Sequence, residues 1–279
     1  FGSSGFFAPE LAGVMESLQL EFGLQYLAGT GYGLDVEEQT GLTIGLTKLK
    51  TAERFDKIWV WGKIFGTTKD YYVAFGVLDS QKEYPVKKFF WATDSYNFAE
   101  LPKSEDSVAP AAQAVEGPFF GEPDRLLGVS VEGLNLTELE RLSATVRAID
   151  QDTAVVPRGA FVLNDHNKLV PSFSFQGLSF DEATQLACYQ HFRPPASVTR
   201  LRALATNEVE FHHNCLDPIE KDLPKGCWSV RVDKSMMFVN LRSLMWPGYV
   251  AFHLVGSSSF GGIYIGHGDR NGDLPFILP

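Results

Sequence analysis

In the last fifth of the chain, Leu223 to Pro279, apolar and polar positions alternate in short runs separated by turn residues. Trp228, Val230 and Val232 alternate with Ser229, Arg231 and Asp233, the period of a strand with one wet face. Asp233-Lys234-Ser235 reads as a turn. Met237, Val239 and Leu241 then alternate with Asn240 and Arg242. Trp246-Pro247-Gly248 punctuates the chain, because proline donates nothing to a sheet ladder and glycine tolerates positive φ. Tyr249 to Val255 and Gly262 to His267 supply two further strands, and the whole stretch, residues 223–279, is expected to form an antiparallel meander.

Earlier in the chain, Leu11, Val14, Met15, Leu18, Phe22 and Tyr26 recur at spacings of three and four, predicting a helix stopped by Gly29 and Gly31. Asp35 followed by Glu38 marks the start of a second helix through Leu42, Leu46 and Leu49. From Lys57 the pattern changes. Ile58 to Phe65 and Tyr71 to Leu78 read as a hairpin turning at Thr67 to Asp70, and Lys88 to Ala92 as a third strand. The strand at Ile58 to Phe65 is apolar at successive positions and needs cover on both faces, from its own core or from another subunit. Residues 102–135 are expected to be largely a long loop, because 102–125 are rich in Pro, Ala, Glu and Gly. Helical spacing returns from Thr137 to Asp150, with Leu139, Leu142, Val146 and Ile149 on one face. Ala154 to Phe161 predicts a short strand ending at a Pro/Gly bend. Ser179 with Glu182 opens a helix through Ala183, Leu186 and Ala187, ended by Phe192-Arg193-Pro194-Pro195, and Leu201 to Ala205 reads as a further short helix.

The expected fold class is α+β: N-terminal helices packed on a mixed or antiparallel sheet, closed by the C-terminal meander. The organisation expected is a helical segment over 1–56 and a body over 57–279. With 279 residues, 44% hydrophobic and 21% charged, the chain can bury a sizeable core. A net charge of −10 argues against nucleic acid or an anionic membrane surface as partner. No apolar run approaches the roughly 18–20 residues that span a bilayer, and no basic-then-apolar secretory pattern is visible. Three cysteines without a CxxC spacing, Cys188, Cys215 and Cys227, fit a reducing compartment better than a disulfide framework. The abundance of phenylalanine, 22 residues, suits both cores and interfaces.

The search for chemistry assigns no catalytic, cofactor-binding or metal-ligating residue. His212, His213 and Cys215 cluster, but one close group does not make a four-coordinate zinc site, and adjacent histidines on a strand point to opposite faces. Asp269-Arg270-Asn271-Gly272-Asp273 starts like a calcium loop, yet the sixth loop position is Leu274 and the twelfth lies past Pro279. Gly261-Gly262 and Gly266-His267-Gly268 lack phosphate-cradle spacing, and no helix is expected after them. There is no GxSxG and no HExxH. The acid pairs Glu37-Glu38, Glu105-Asp106 and Asp181-Glu182 read as solubility and helix-dipole features. A hydrolase or transferase with dispersed groups, drawing on His191, His212 and Asp217, is the alternative from another class, and a cytosolic adaptor is a second.

Several stretches together resemble one family. They are Trp61-Gly62-Lys63-Ile64-Phe65-Gly66 with Asp70-Tyr71-Tyr72-Val73-Ala74; Ile149-Asp150-Gln151 with Val155-Val156-Pro157-Arg158-Gly159-Ala160; Phe175-Gln176-Gly177-Leu178-Ser179 with Glu182-Ala183; and His191-Phe192-Arg193. They continue with Leu223-Pro224-Lys225-Gly226 and Trp228-Ser229, Leu241-Arg242-Ser243-Leu244 and Trp246-Pro247-Gly248, and Asp273-Leu274-Pro275-Phe276. In this order they are similar to the radial spoke head protein 9 family of motile cilia and flagella. The resemblance runs from about residue 58 to 278; over the first 50 or so residues and around 102–135 only composition and helix placement match.

The resemblance implies a non-enzymatic structural subunit of the radial spoke head, in the cytoskeleton of the axoneme within the cytoplasm of a cilium or flagellum. Its implied partners are other spoke-head subunits and, transiently, central-pair projections, a contact that regulates dynein-driven bending. It implies no cofactor, metal, small-molecule substrate, nucleic acid or membrane. A net acidic head would suit contact that must also release. Trp59, Trp61, Trp91, Trp228 and Trp246 are the residues expected to carry structural specificity, in the core or at an interface.

Overall fold

The computed structural model describes residues 15–16, 24, 31, 33–55, 57–78, 86–103, 108–131, 134–164, 169–193, 216–235 and 237–277. Its centre is a nine-stranded mixed sheet. The N-terminal strands are β1 (Met15–Glu16), β2 (Ile58–Ile64), β3 (Tyr71–Leu78), β4 (Val86–Ala92) and β5 (Ala99–Glu100). A hairpin of β6 (Leu126–Val131) and β7 (Leu134–Thr137) and the short strands β8 (Val155–Pro157), β9 (Phe161–Leu163), β10 (Leu169–Pro171) and β11 (Tyr189–His191) lie outside the sheet. The meander is β12 (Trp228–Asp233), β13 (Phe238–Ser243), β14 (Tyr249–Leu254) and β15 (Phe260–Gly266). The strand order is β12-β13-β14-β15-β2-β3-β4-β5, antiparallel except where β15 joins β2, and β1 adds to β2.

Helix α1 (Val36–Glu53) covers one face of this sheet and α3 (Glu138–Thr153) the other; α2 (Val108–Gln113), α4 (Phe180–Ala183) and α5 (Leu274–Ile277) are shorter. On the α1 side Leu42, Leu46 and Leu49 pack with Ile58, Val60, Ala74, Phe90, Val250 and Ile263. On the α3 side Leu142, Val146 and Ile149 pack with Trp59, Trp61, Val73, Phe75, Val239 and Tyr264. All seven residues of β2 are buried, and its two faces are covered by this chain's own helices rather than by another subunit.

The bulge at Val60/Gly62 decides which way β2 aims its charge. Strict alternation would put Lys63 beside Trp59 and Trp61. The extra residue reverses the parity, so Ile64 joins the tryptophans and Lys63 turns to α1. Gly62, at φ 153°, marks the seam with β15: a Cβ there would lie 2.0 Å from the Tyr264 carbonyl oxygen.

Several sequence expectations are corrected. Met15 was expected in a helix, but Met15–Glu16 pairs with Trp59 and Val60; the rest of that expectation lies outside the described residues, apart from Leu24 in a helical turn. The ladder explains it: β15 pairs only with Gly62 to Ile64 of β2, and β1 takes the edge of β2 that remains. The loop over 102–135 contains α2 and a hairpin. Alanines that read as linker composition instead pack, Ala112 meeting Leu136 and Ala144 of α3. The helix opened by Ser179 ends at Ala183, followed by a 3-10 turn at Leu186–Cys188 and strand β11. The single-turn α5 follows the glycine-rich segment, where no helix was expected. The helix at Leu201 to Ala205 lies outside the described residues.

Candidate functional site

The most distinctive polar geometry among the described residues is a set of largely buried or part-buried ties between two helices and the sheet whose opposite faces they cover. Each tie is charged or charge-assisted, so each needs its partners in place to survive loss of water.

Three acids of α3 make the first set. Thr137 and Glu140 cap the helix by exchanging side-chain and backbone hydrogen bonds. The next residue, Glu138, is fully buried. Its carboxylate accepts the Tyr71 hydroxyl at 2.7 Å and the N–H groups of Phe120, Gly121 and Glu122 at 2.7–3.1 Å. Burial and this carboxylate push the Tyr71 phenol far above its usual pKa, holding it as a neutral donor. Three turns on, Asp150 accepts both short hydrogen bonds of Lys87 on β4, at 2.6 and 2.8 Å. Asp152 accepts the Trp246 indole N–H at 2.9 Å.

The second set ties α1. Glu38 closes the capping box with the Asp35 N–H and also accepts Lys63 and the Tyr72 hydroxyl. Burial alone would raise the Glu38 pKa; the Lys63, Tyr72 and Asp35 donors outweigh it and hold the carboxyl below its usual value. Burial would likewise lower Lys63, but Asp70 and Glu38 keep it raised. At the far end of α1, Glu53 pairs with Lys88 on β4 at 2.7 Å. Glu38 is therefore more than a dipole feature. Glu182 keeps the capping role expected of it, and Glu105-Asp106 lies outside the described residues.

A third centre sits beside β12. Asp222 accepts the Trp228 indole N–H at 2.8 Å and lies 2.8 Å from His191 Nε2. His191 is 1% exposed, and the Asp217 carboxylate is turned to Arg193 at 3.5 Å. Of the enzyme alternative's residues, His191 and Asp217 meet through the backbone, the His191 N–H donating to the Asp217 carbonyl at 2.8 Å, while their side chains turn to Asp222 and Arg193; His212 lies outside the described residues with His213 and Cys215. Cys188 and Cys227 are buried free thiols, and burial pushes Cys227 up to about 12, away from thiolate chemistry. Among the described residues no group of three or more His, Cys, Asp or Glu is placed to hold a metal. No described helix is long and apolar enough to cross a membrane.

Four of the five singled-out tryptophans, Trp59, Trp61, Trp228 and Trp246, are buried in the α3-side core, and Trp91 packs half-buried against it. They are core residues. The surface is lined instead by positions the sequence reading passed over. On α1, Val36 and Ile44 are exposed, and Thr40, Thr47 and Thr51 turn their hydroxyls back to carbonyls four residues earlier, presenting methyls. Their spacing of three and four was visible in the sequence; their exposure was not.

A family model described as "Radial spokehead-like protein" matches residues 14–115, from β1 through α2. A Bos taurus protein named "Radial spoke head protein 9 homolog" is 33% identical over 279 aligned residues, covering 95% of this chain and 100% of the relative. Proteins of the same name from Danio rerio and Homo sapiens are 34% and 30% identical, with the same coverage. The chain belongs to the radial spoke head protein 9 family. The match reaches the divergent N-terminal part as well as the motif-bearing body. In this radial spoke head protein 9 family member, acids of α1 and α3 tie the two helices to the sheet and its loops from either side.

Proposed function

We propose that this protein is a non-catalytic structural subunit of the radial spoke head in the axoneme of motile cilia or flagella. There it assembles with other spoke-head subunits and helps transmit contact with central-pair projections to dynein-driven bending. The observation that carries the reading is end-to-end similarity to proteins named radial spoke head protein 9 homolog. The geometry is in keeping with it: ties from Glu38 and Glu53 hold both ends of α1, and ties from Glu138, Asp150 and Asp152 hold both ends of α3, against the sheet and its loops, as a part that passes on force requires. The net charge of −10 suits contact that releases.

Tagging the protein in its own ciliated or flagellated cell and extracting with detergent tests this. Retention along the axoneme, with spoke-head subunits recovered on pull-down, is the expected result. Release into the soluble fraction without them would overturn it.

A further inference from the structure

Among the described residues the large sheet ends at β12, with no strand paired to its outer edge. The N–H of Leu244 donates to the carbonyl of Cys227 at 2.8 Å, which makes Cys227 and Leu244 a hydrogen-bonded pair. The β12–β13 register then runs without a break from Trp228↔Ser243 to Asp233↔Phe238. In an antiparallel ladder hydrogen-bonded pairs alternate with non-bonded ones, so Ser229, Arg231 and Asp233 bond inward to β13. The backbone N–H and C=O groups of Val230 and Val232 point outward, and among the described residues neither has a hydrogen-bond partner. On the α3 side of this strand the Val230 and Val232 side chains pack against the core yet stay half-exposed. The core is open where the ladder is open. No proline and no bulge blunts the edge.

A strand laid here must bring apolar side chains next to Val230 and Val232 and, on the opposite face, an acid across from Arg231 and a base across from Asp233. β12 itself has that pattern: Val230-Arg231-Val232-Asp233. We propose that this edge pairs with the same edge of a second copy, antiparallel about Val232, joining two sheets through a two-fold axis. Val232 then faces its counterpart. Arg231 lies opposite the second copy's Asp233, and Asp233 opposite its Arg231. Val230 faces Lys234, the next outward position. Arg231 and Asp233 also interact within the chain, so the cross-strand pairs add to existing contacts. Registers one step away set Arg231 against Arg231 or Asp233 against Asp233, so charge selects this one. The pairing does not depend on the spoke-head reading, and its test is separate.

Sedimentation of the purified full chain over a wide concentration range is expected to show a reversible monomer–dimer equilibrium. Val230→Pro removes an outward N–H while leaving the ladder to β13 intact, and should weaken self-association roughly tenfold or more with the melting temperature little changed. Arg231→Asp should weaken it by setting acid against acid, and Arg231→Asp with Asp233→Arg should restore it. The charge reversal keeps the question answerable if the proline variant folds poorly. A wild type that stays monomeric at every concentration, or a dimer that neither Val230→Pro nor Arg231→Asp weakens, would overturn the proposal.

Discussion

His253 sits 1% exposed on β14 among Phe175, Tyr189 and Phe260, and its Nε2 accepts the Leu178 N–H at 3.1 Å. That bond requires the neutral ring with its proton on Nδ1. Burial pulls the pKa from 6.5 down to about 4. The sign follows. Between these two values the unfolded chain binds a proton that the folded chain refuses, so acid favours unfolding. The fold should lose stability as pH falls below about 6.5, by roughly 3 kcal/mol in all once the folded pKa is passed. Urea unfolding at stepped pH should show this loss, with a shallower slope in His253→Phe, which keeps the ring and cannot titrate. An unchanged slope in that variant would assign the acid sensitivity elsewhere. Glu38 acts in the same direction at lower pH: its depressed pKa supplies stability above its unfolded value of 4.5 that is lost in acid. None of this was legible in the sequence. His253 stands between Phe252 and Leu254 with no motif around it, and only the approach of Leu178 and three rings gives it an environment. Trp61 and Trp228 were legible as structural residues, because large aromatics in β-prone runs bury themselves wherever the strand goes.

Elements were more legible than their meetings. The strands of the meander and of the β2–β4 hairpins, and helices α1 and α3, follow local periodicity, and local periodicity survives folding when one face is buried. What lay between 102 and 135 did not, because Ala112 packs with Leu136 and with Ala144 of α3, contacts that no pattern within 102–135 points to. The glycines of α1 show the same limit. Gly41 and Gly45 would read as weak points, since glycine costs a helix about 1 kcal/mol relative to alanine. In the fold both face the 93–96 turn, and a Cβ on Gly45 would lie 2.6 Å from the Ser95 carbonyl oxygen and 2.9 Å from that of Tyr96. These are backbone atoms, with little freedom to retreat. Overpacking of this kind costs about 1–3 kcal/mol, which outweighs the propensity gain. Gly45→Ala is therefore expected to lower the urea midpoint, whereas Gly33→Ala, with no atom nearby, should leave it within about 0.5 kcal/mol of wild type. A stabilised Gly45→Ala would mean that α1 does not ride this close to the turn.

For the whole molecule, the decisive feature is the parallel junction of β15 with β2, which turns two antiparallel halves into one sheet. Strand order across such a junction leaves no trace in local spacing, so the sequence showed the C-terminal meander and the β2–β4 hairpins without showing that they share a ladder. Trp61 is the residue that tests their union. It is the extra residue of the β2 bulge, and its ring lies 5.3 Å from that of Tyr264 on β15, in the core beneath α3. Truncation to alanine removes a large buried ring from both halves at once and should cost about 3–5 kcal/mol. If the junction makes one cooperative unit, fluorescence and far-ultraviolet circular dichroism should report a single transition in Trp61→Ala, shifted to lower denaturant with unchanged slope. Two separated transitions, with the meander melting apart from the β2–β4 hairpins, would show that the halves fold independently and that the continuous sheet is not the unit of stability. In cells the same variant should lower the amount of protein reaching the axoneme in proportion to its loss of folded fraction. Axonemal loss without any loss of stability would instead place Trp61 at a contact with a neighbour, against its burial here.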